Sequence, residues 1–157
     1  MEIEWRSITT ITPYPGNPRH NAPAVAAVAA SIREFGWRQP IVISEDGEII
    51  VGHTRYLAAQ QLGLERVPIH VAKGLTPAQV KAYRLADNQT ADLAQWDEIQ
   101  LGRELKELEA MNFDLDLIGF PPDELTRLLD MEVTAGLVDP DFIPLPPDEP
   151  RTRSGDL

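Results

Sequence analysis

In the N-terminal part of the chain, some segments have hydrophobic residues at helical spacing, and others are short apolar runs typical of strands. Residues 24–35 carry apolar side chains at helical spacing, and Gly36 follows them as a stop signal. Two apolar runs rich in β-branched residues, at 40–43 and 49–51, flank the polar turn Glu45–Glu48, which predicts a hairpin. The pattern therefore predicts an α+β arrangement of helices and short strands.

The same patterns place the remaining elements. Thr76 and Pro77 mark a helix start, because threonine caps a helix and proline suits its first position. Strands are expected at residues 3–8 and 67–72, and further helices at 52–62, 76–88, 97–111 and 122–131. The helix at 52–62 is expected to turn Leu57, Ala58 and Leu62 toward the core. From Thr134 onward five prolines interrupt an acidic run, so we expect an extended linker there.

Charge is distributed unevenly along the chain, whose formal net charge is −11. Residues 1–96 carry nine acidic and nine basic side chains, residues 97–131 carry ten and three, and residues 132–157 carry six and two. Because DNA affinity depends on neutralising phosphates, we expect DNA contact only through a local N-terminal patch or a fused domain. The acidic helices at 97–131 are expected to serve protein contact or core completion.

Composition excludes several classes of chemistry. The chain has no cysteine, which excludes disulfides, zinc–thiolate sites and thiol nucleophiles. No apolar run reaches the roughly 18 residues that a membrane span requires. The start, Met1–Arg6, is charged and lacks the apolar region of a signal peptide. We therefore expect a cytoplasmic protein with no membrane partner.

The strongest chemical signal is a strand–turn–helix element at residues 49–62. A helix N-terminus exposes unpaired N–H groups and suits an anion, and a glycine lets the backbone approach a phosphate. The predicted phosphate-binding residues are Gly52, His53, Thr54 and Arg55. Alternatively, Thr54 only caps the helix and Arg55 is a solvated surface residue.

Two further groups of polar residues are candidates for the same site. Asp87 and Asn88, expected at the end of the Thr76 helix, can hold a magnesium ion beside bound phosphates. The alternative is a plain helix end with Asn88 as a left-handed cap. The stiff loop 13–20 carries three polar side chains that could recognise a base, a ribose or a phosphate: Asn17, Arg19 and His20. That loop could equally be a proline-rich connector.

The order of several sequence boxes resembles the ParB/sulfiredoxin superfamily over about residues 5–96. The boxes are the proline-rich segment 13–19, the "SI-x-x-x-G…QPI-V" segments 30–36 and 39–43, the arginine box 50–59, the "GL-x-x-VP" segment 63–68 and Asp87-Asn88. The resemblance implies a small mixed sheet with packed helices, followed by a C-terminal helical extension. It also implies a nucleoside triphosphate, CTP or ATP, bound with Mg²⁺, with phosphates at residues 52–55 and the metal near residues 87–88.

Two departures from the superfamily pattern limit what the resemblance implies. His53 and Thr54 replace a glutamate and an arginine of the ParB box, which leaves the identity of the base open. Sulfiredoxins carry a catalytic cysteine where this chain has His53, so reduction of sulfinic acid is excluded.

A narrower resemblance is to the ParB-like domain that precedes many phage and bacterial DNA methylases. It rests on the segments 75–77, 82–89, 96–97 and 119–120, and on Ser154–Leu157, which is similar to the junction with the methylase domain. We therefore expect a core at 1–96, an acidic helical extension at 97–131 and a proline-rich linker at 132–157. A methyltransferase domain is expected beyond Leu157, and no methyl transfer is assigned to these residues.

Three functions remain open at this point. The first is a nucleotide-phosphate-binding module associated with DNA modification or DNA binding, with or without NTPase activity. The second is a ParB-like nuclease, for which the acids near the turn are Asp46, Glu48 and Asp87. The third is a serine-type small-molecule kinase on the same fold. A homodimer is compatible with all three.

Overall fold

The structure, a computed structural model, describes residues 1–131. Its strands are β1 (Glu4–Ser7), β2 (Ile41–Ile43), β3 (Ile49–Val51) and β4 (Arg66–Val71). Its α-helices are α1 (Ala22–Phe35), α2 (His53–Gln61), α3 (Pro77–Asp92), α4 (Glu98–Ala110) and α5 (Pro122–Asp130). The linker and junction expected within residues 132–157 lie outside the described residues.

The four strands form one mixed sheet in the order β1-β4-β2-β3. β2 and β3 pair antiparallel as the expected hairpin, β1 pairs antiparallel with β4, and β2 runs parallel to β4. The connection from β2 to its parallel neighbour therefore contains β3 and α2, which places the Gly52 turn at one edge of the sheet.

The hydrophobic core lies where α2 covers the sheet. Ile41, Ile43, Ile49 and Ile69 are fully buried, as β-branched side chains on a covered sheet should be. α2 contributes the buried residues Tyr56, Ala58 and Ala59.

The prediction that Leu57 of this helix faces the core is wrong. Leu57, expected to point inward with Ala58, is 36% exposed. With 3.6 residues per turn, Leu57 faces away from the side that Tyr56, Ala58 and Ala59 share.

The C-terminal helices pack closely on one another. A Cβ atom at Gly102 of α4 would lie 2.9 Å from the carbonyl oxygen of Leu128 in α5, so only glycine allows this approach. Leu105 and Leu128 are buried beside it. Phe35 at the end of α1 stacks on Phe113 with ring centroids 6.1 Å apart, which joins this pair to the N-terminal part. None of the helices within residues 1–131 combines the length and apolarity needed to cross a membrane.

Candidate functional site

The turn between β3 and α2 is built around Gly52. This residue has φ +101° and ψ 27°, and no side chain caps the helix that follows. An added Cβ would meet Ile41 Cγ1 at 3.4 Å, in a backbone conformation that favours glycine. The first intrahelical bond is donated by the Tyr56 N–H to the Gly52 carbonyl at 3.0 Å. The N–H groups of residues 53–55 precede that bond and are available to an anion.

Arg55 places a positive charge over this turn. Its Nη1 atom lies 3.5 Å from the position of an added Gly52 Cβ, and its Nη2 donates to Gln39 Oε1. Burial lowers the pKa of Arg55, and the Asp87 carboxylate opposes that effect; arginine nevertheless stays charged at neutral pH. The four ion pairs within residues 1–131 do not include Arg55. Its charge is therefore not neutralised by a direct ion pair in the described part of the chain.

The side chains of His53 and Thr54 are held by segments that lie far away in sequence. The Tyr14 N–H donates to His53 Nε2 at 3.2 Å, which makes Nε2 an acceptor and leaves the proton of the neutral ring on Nδ1. Thr54 Oγ1 donates to Asn21 Oδ1 at 3.2 Å, just before α1. Burial and the charge of Arg84 lower the pKa of His53, while Glu48 opposes them.

The opposite wall of the site belongs to α3. Asp87 and Asn88 were expected at the end of this helix, but the helix continues to Asp92, so the expected helix end at these residues is wrong. No glycine or proline interrupts residues 88–92, and Thr90 Oγ1 donates to the Ala86 carbonyl at 2.8 Å, which suits a continuing helix.

These two walls enclose a cleft of about 210 Å³. Seven of the nine sequence-predicted site residues line it, namely Asn17, Gly52, His53, Thr54, Arg55, Asp87 and Asn88. Asn21 and Val28 also line it, and the sequence patterns did not single them out.

The other two predicted residues are not among the residues lining this cleft. Arg19 is occupied by α3, because its Nη2 and Nη1 donate to the two Asp92 carboxylate oxygens at 3.1 and 3.4 Å. Arg19 Nη1 also donates to Asn88 Oδ1 at 3.2 Å. His20 is exposed. The loop is thus tied to α3 rather than presenting Arg19 to the cleft.

The ligands available for a metal are few. Asp87 is the one carboxylate among the residues that line the cleft, and Asn88 Oδ1 already accepts from Arg19. Within residues 1–131 no three His, Asp or Glu side chains converge as a ready metal site. The donor set fits Mg²⁺ held by one carboxylate together with phosphate oxygens and water, rather than a cation bound by protein groups alone.

Arg84 is a buried residue of α3 beside the site, and the sequence motifs did not single it out as a site residue. It lies one helical turn before Asp87 and Asn88, yet the residue is only 2% exposed. The sequence offered one signal for Arg84, because its spacing places it on the same helix face as Asp87 and Asn88, one turn away. Its burial, which depends on contacts with β3 and with the loop, could not be foreseen from that spacing.

Comparison with known proteins identifies the fold and the family. A similar solved structure is that of the C-terminally truncated chromosome-partitioning protein ParB from Caulobacter crescentus, complexed with CTP-gamma-S. Its TM-score is 0.62 and its sequence identity 23%, over 87% of this chain and 89% of that one. At this identity the likeness shows the fold. A family model described as the ParB N-terminal domain matches residues 2–100, and the chain belongs to this family.

Sequence relatives agree with this assignment. The ParB-like nuclease domain-containing protein YnaK of Escherichia coli (strain K12) is 42% identical over 80 residues, half of this chain and 92% of that protein. The chromosome-partitioning protein Spo0J of Thermus thermophilus is 31% identical over 150 residues, 82% of this chain. This chain covers 55% of the Spo0J length.

A second family model, described as the ParB-methyltransferase HTH domain, matches residues 100–154. Its described part contains most of α4 and all of α5, where the sequence predicted an acidic helical extension. The expected superfamily and the α+β fold class are thereby confirmed.

Proposed function

We propose that this chain is a nucleotide-binding ParB-type domain that serves a DNA-modifying protein as a regulatory or targeting module. Its ligand is a nucleoside triphosphate, CTP or ATP, bound with Mg²⁺ through its phosphates. The observation that carries the proposal is the Gly52 turn, where free helix N–H groups and Arg55 converge on one cleft.

The chemistry of the turn suits a phosphate chain. Backbone N–H groups at a helix N-terminus point at an anion, and the partial positive charge of the helix end favours it. Arg55 adds a planar fork of donors, which matches phosphate oxygens. Its bond to Gln39 holds the side chain in place among the residues that line the cleft. Together these groups bind and orient phosphates without requiring a catalytic step.

A divalent cation would be held on the α3 side. Bound phosphates bring several negative charges near Asp87, and Mg²⁺ between them would neutralise this repulsion. We assign Asp87 as the direct protein ligand, with Asn88 beside it. The aligned boxes and the CTP-gamma-S complex of the Caulobacter protein support a nucleotide as the ligand.

Association with DNA belongs to neighbouring parts of the protein in this proposal. The family model over residues 100–154 is named for ParB-methyltransferases, which supports a link to DNA modification. The curated relative from Thermus is a chromosome-partitioning protein. Since residues 1–96 have no net charge and residues 97–131 are acidic, DNA binding by this chain alone is expected to be weak.

A nuclease is the second candidate, and the name of the YnaK relative favours it. The acids near the turn argue against it. Glu48 is paired with Arg84 at 2.8 Å, and Asp46 lines a different cleft. Asp87 remains as the single carboxylate among the residues that line the cleft, whereas phosphodiester cleavage needs a metal or general base beside a basic DNA groove.

Calorimetry with the four nucleoside triphosphates and Mg²⁺ tests the proposal. At least one should bind, and Arg55→Ala should weaken it by at least roughly tenfold. The matched control is Arg33→Ala, which removes an exposed arginine on α1.

Unchanged nucleotide affinity in Arg55→Ala contradicts the assignment of the phosphate site to this turn. Metal-dependent nicking of DNA in the same preparation favours the nuclease, and phosphate transfer to free serine favours the kinase.

A further inference from the structure

Arg84 is the one charged or polar side chain that is buried among residues 1–131, and its burial needs an explanation. Burying a guanidinium is costly unless it is paired and hydrogen-bonded. Its Nε has no hydrogen-bond partner within the described residues, so even this site leaves part of the cost uncompensated. A partly unsatisfied charge in the interior is a poor way to stabilise a small domain.

The guanidinium contacts three different segments. Nη2 donates to Glu48 Oε1 at 2.8 Å, in the turn that leads into β3. The same atom donates to the Ile49 carbonyl of β3 at 3.1 Å. The central carbon lies 3.6 Å from the centroid of the Tyr14 ring, in a cation–π contact. One side chain on α3 thus fixes both the hairpin and the proline-rich loop.

Two of those segments, β3 and the loop, carry part of the phosphate site. β3 delivers the chain to Gly52, and the backbone N–H of Tyr14 holds His53 through Nε2. On α3 itself, Asn88 Nδ2 donates to the Arg84 carbonyl at 2.8 Å. Arg84 therefore lies at the point where the turn wall and the α3 wall of the cleft are joined.

We propose that Arg84 is a positioning residue for the phosphate site. By holding Tyr14 and β3 against α3, it keeps His53 as a neutral ring whose Nδ1–H remains available as a donor, and it sets the spacing between the Gly52 turn and Asp87. The idea rests on the proposed function in that the ligand is a phosphate chain. It adds a residue that touches no ligand yet determines how the turn meets it.

Electrostatics supports the same role. The groups that act on the His53 ring are Arg84 from α3 and Glu48 from the turn before β3, together with the Tyr14 amide from the loop. The positive charge of Arg84 disfavours a second proton on the ring, and the Tyr14 amide requires Nε2 to remain an acceptor. The charge of Arg84 therefore favours the neutral ring, and the Tyr14 amide favours the tautomer with its proton on Nδ1.

Nuclear magnetic resonance of the ¹⁵N-labelled protein, combined with titration of inorganic pyrophosphate, tests the proposal. In the wild type the His53 ring should show a bare Nε2 and a protonated Nδ1 near neutral pH. Arg84→Met should mix the tautomers, move the His53 titration to higher pH and weaken pyrophosphate binding by roughly fivefold or more. Arg84→Lys keeps the charge without the planar fork and should fall between the two.

Controls separate positioning from stability. Arg127→Met removes an exposed arginine–glutamate pair of the same 2.8 Å length, formed between Arg127 of α5 and Glu98 of α4. It should change neither His53 nor pyrophosphate affinity. If Arg84→Met does not fold, Tyr14→Leu removes the ring contact alone and should move the His53 resonances in the same direction.

Two results are decisive. Arg84→Met with a lower melting temperature but unchanged His53 tautomer and pyrophosphate affinity overturns the positioning role and leaves a structural one. A wild-type protein that binds no pyrophosphate or nucleotide contradicts the proposed function instead. The positioning role then stands or falls on the His53 resonances.

Discussion

The amide N–H of Tyr14 donates to Nε2 of His53 at 3.2 Å, across 39 positions of the sequence. This bond joins the proline-rich loop to the first residue of α2. It can form only while Nε2 carries no proton, so the contact between loop and helix depends on the charge state of one imidazole.

We expect this dependence to appear in the pH profile of stability. Burial and Arg84 lower the pKa of His53 below the ordinary value of about 6.5. Just below that value the unfolded chain therefore binds more protons at this residue than the folded protein does. The free energy of unfolding then rises with pH in this range, and the contribution is lost as the pH falls toward the folded pKa. His53→Gln should lose less stability than the wild type on acidification from about pH 7.5 to about pH 5.5.

Urea denaturation at the two pH values measures the effect. His20→Gln is the matched control, because it removes an exposed histidine from the proline-rich loop that contains Tyr14. A His53→Gln variant with the same pH dependence as wild type and His20→Gln would mean that the Tyr14 bond does not select the neutral ring.

Replacing Gly52 should affect both stability and binding. Gly52→Ala forces a side chain into a left-handed conformation, which costs on the order of 1–2 kcal/mol, and brings its Cβ into contact with Ile41 and with the Arg55 guanidinium. Gly74 also has positive φ, at +74°, but an added Cβ would meet nothing within 4 Å. Gly74→Ala should therefore lose similar stability, as measured by thermal unfolding, while only Gly52→Ala loses pyrophosphate affinity in calorimetry. Equal affinity in the two variants argues against a phosphate at this turn.

A substitution of Arg19 tests whether this residue binds a ligand, as the sequence suggested, or only pairs with Asp92, as the structure shows. If Arg19 contacted phosphate, Arg19→Ala would weaken nucleotide binding by roughly tenfold or more. Because Asp92 holds both terminal nitrogens, we expect less than about a threefold change, and a stability change below about 1 kcal/mol for this exposed pair. Calorimetry on Arg19→Ala beside Asp92→Asn checks both values, and a tenfold loss in Arg19→Ala alone would restore the loop as a binding element.

Asp87 should matter chiefly when magnesium is present. Its carboxylate is assigned to a cation between protein and phosphates, so Asp87→Asn should weaken nucleotide binding in Mg²⁺ far more than in a chelator. Calorimetry under both conditions gives the comparison. Asp92→Asn is a control on the same helix, since Asp92 is not among the residues that line the cleft. Equal losses in both conditions would remove the metal role from Asp87.

The approach of α4 to α5 allows a prediction away from the site. Gly102→Ala places a Cβ 2.9 Å from the Leu128 carbonyl oxygen, and overpacking of this kind costs about 1–3 kcal/mol. Glu104→Ala, an exposed change on the same helix, should be nearly neutral. Thermal unfolding measures both. Nucleotide affinity should be unaltered in either variant, and a loss in Gly102→Ala would reveal coupling between the C-terminal helices and the cleft.

The parts of the fold that sequence predicted well are those with strong local signals. Thr76 forms a capping box with Gln79 and Pro77 begins α3, as the threonine–proline pair indicates. Gly52 follows a β-branched strand and takes the left-handed conformation that the turn requires. In both places local chemistry and tertiary structure demand the same geometry.

The parts that sequence could not predict depend on distant contacts. The end of α3 at Asp92 carries no glycine or proline, so composition gave no stop signal. Arg19 was expected to face a ligand because nothing local shows that Asp92 lies beside it. Arg84 is buried by a loop and a hairpin that begin more than thirty residues away, and no periodicity along α3 reveals such a partner.

The position of β4 in the sheet also affects the order in which the site can be made. β4 pairs with both β1 and β2, although it is the last strand along the described chain. During synthesis the hairpin and the Gly52 turn emerge before the strand that anchors them, and long-range pairings form slowly compared with local ones. A ribosome-bound chain that ends before residue 66 should therefore lack a phosphate site. In the folded protein, because binding to the folded state alone raises its population, a nucleotide held at the turn should reduce the fraction of molecules in which β4 has left the sheet.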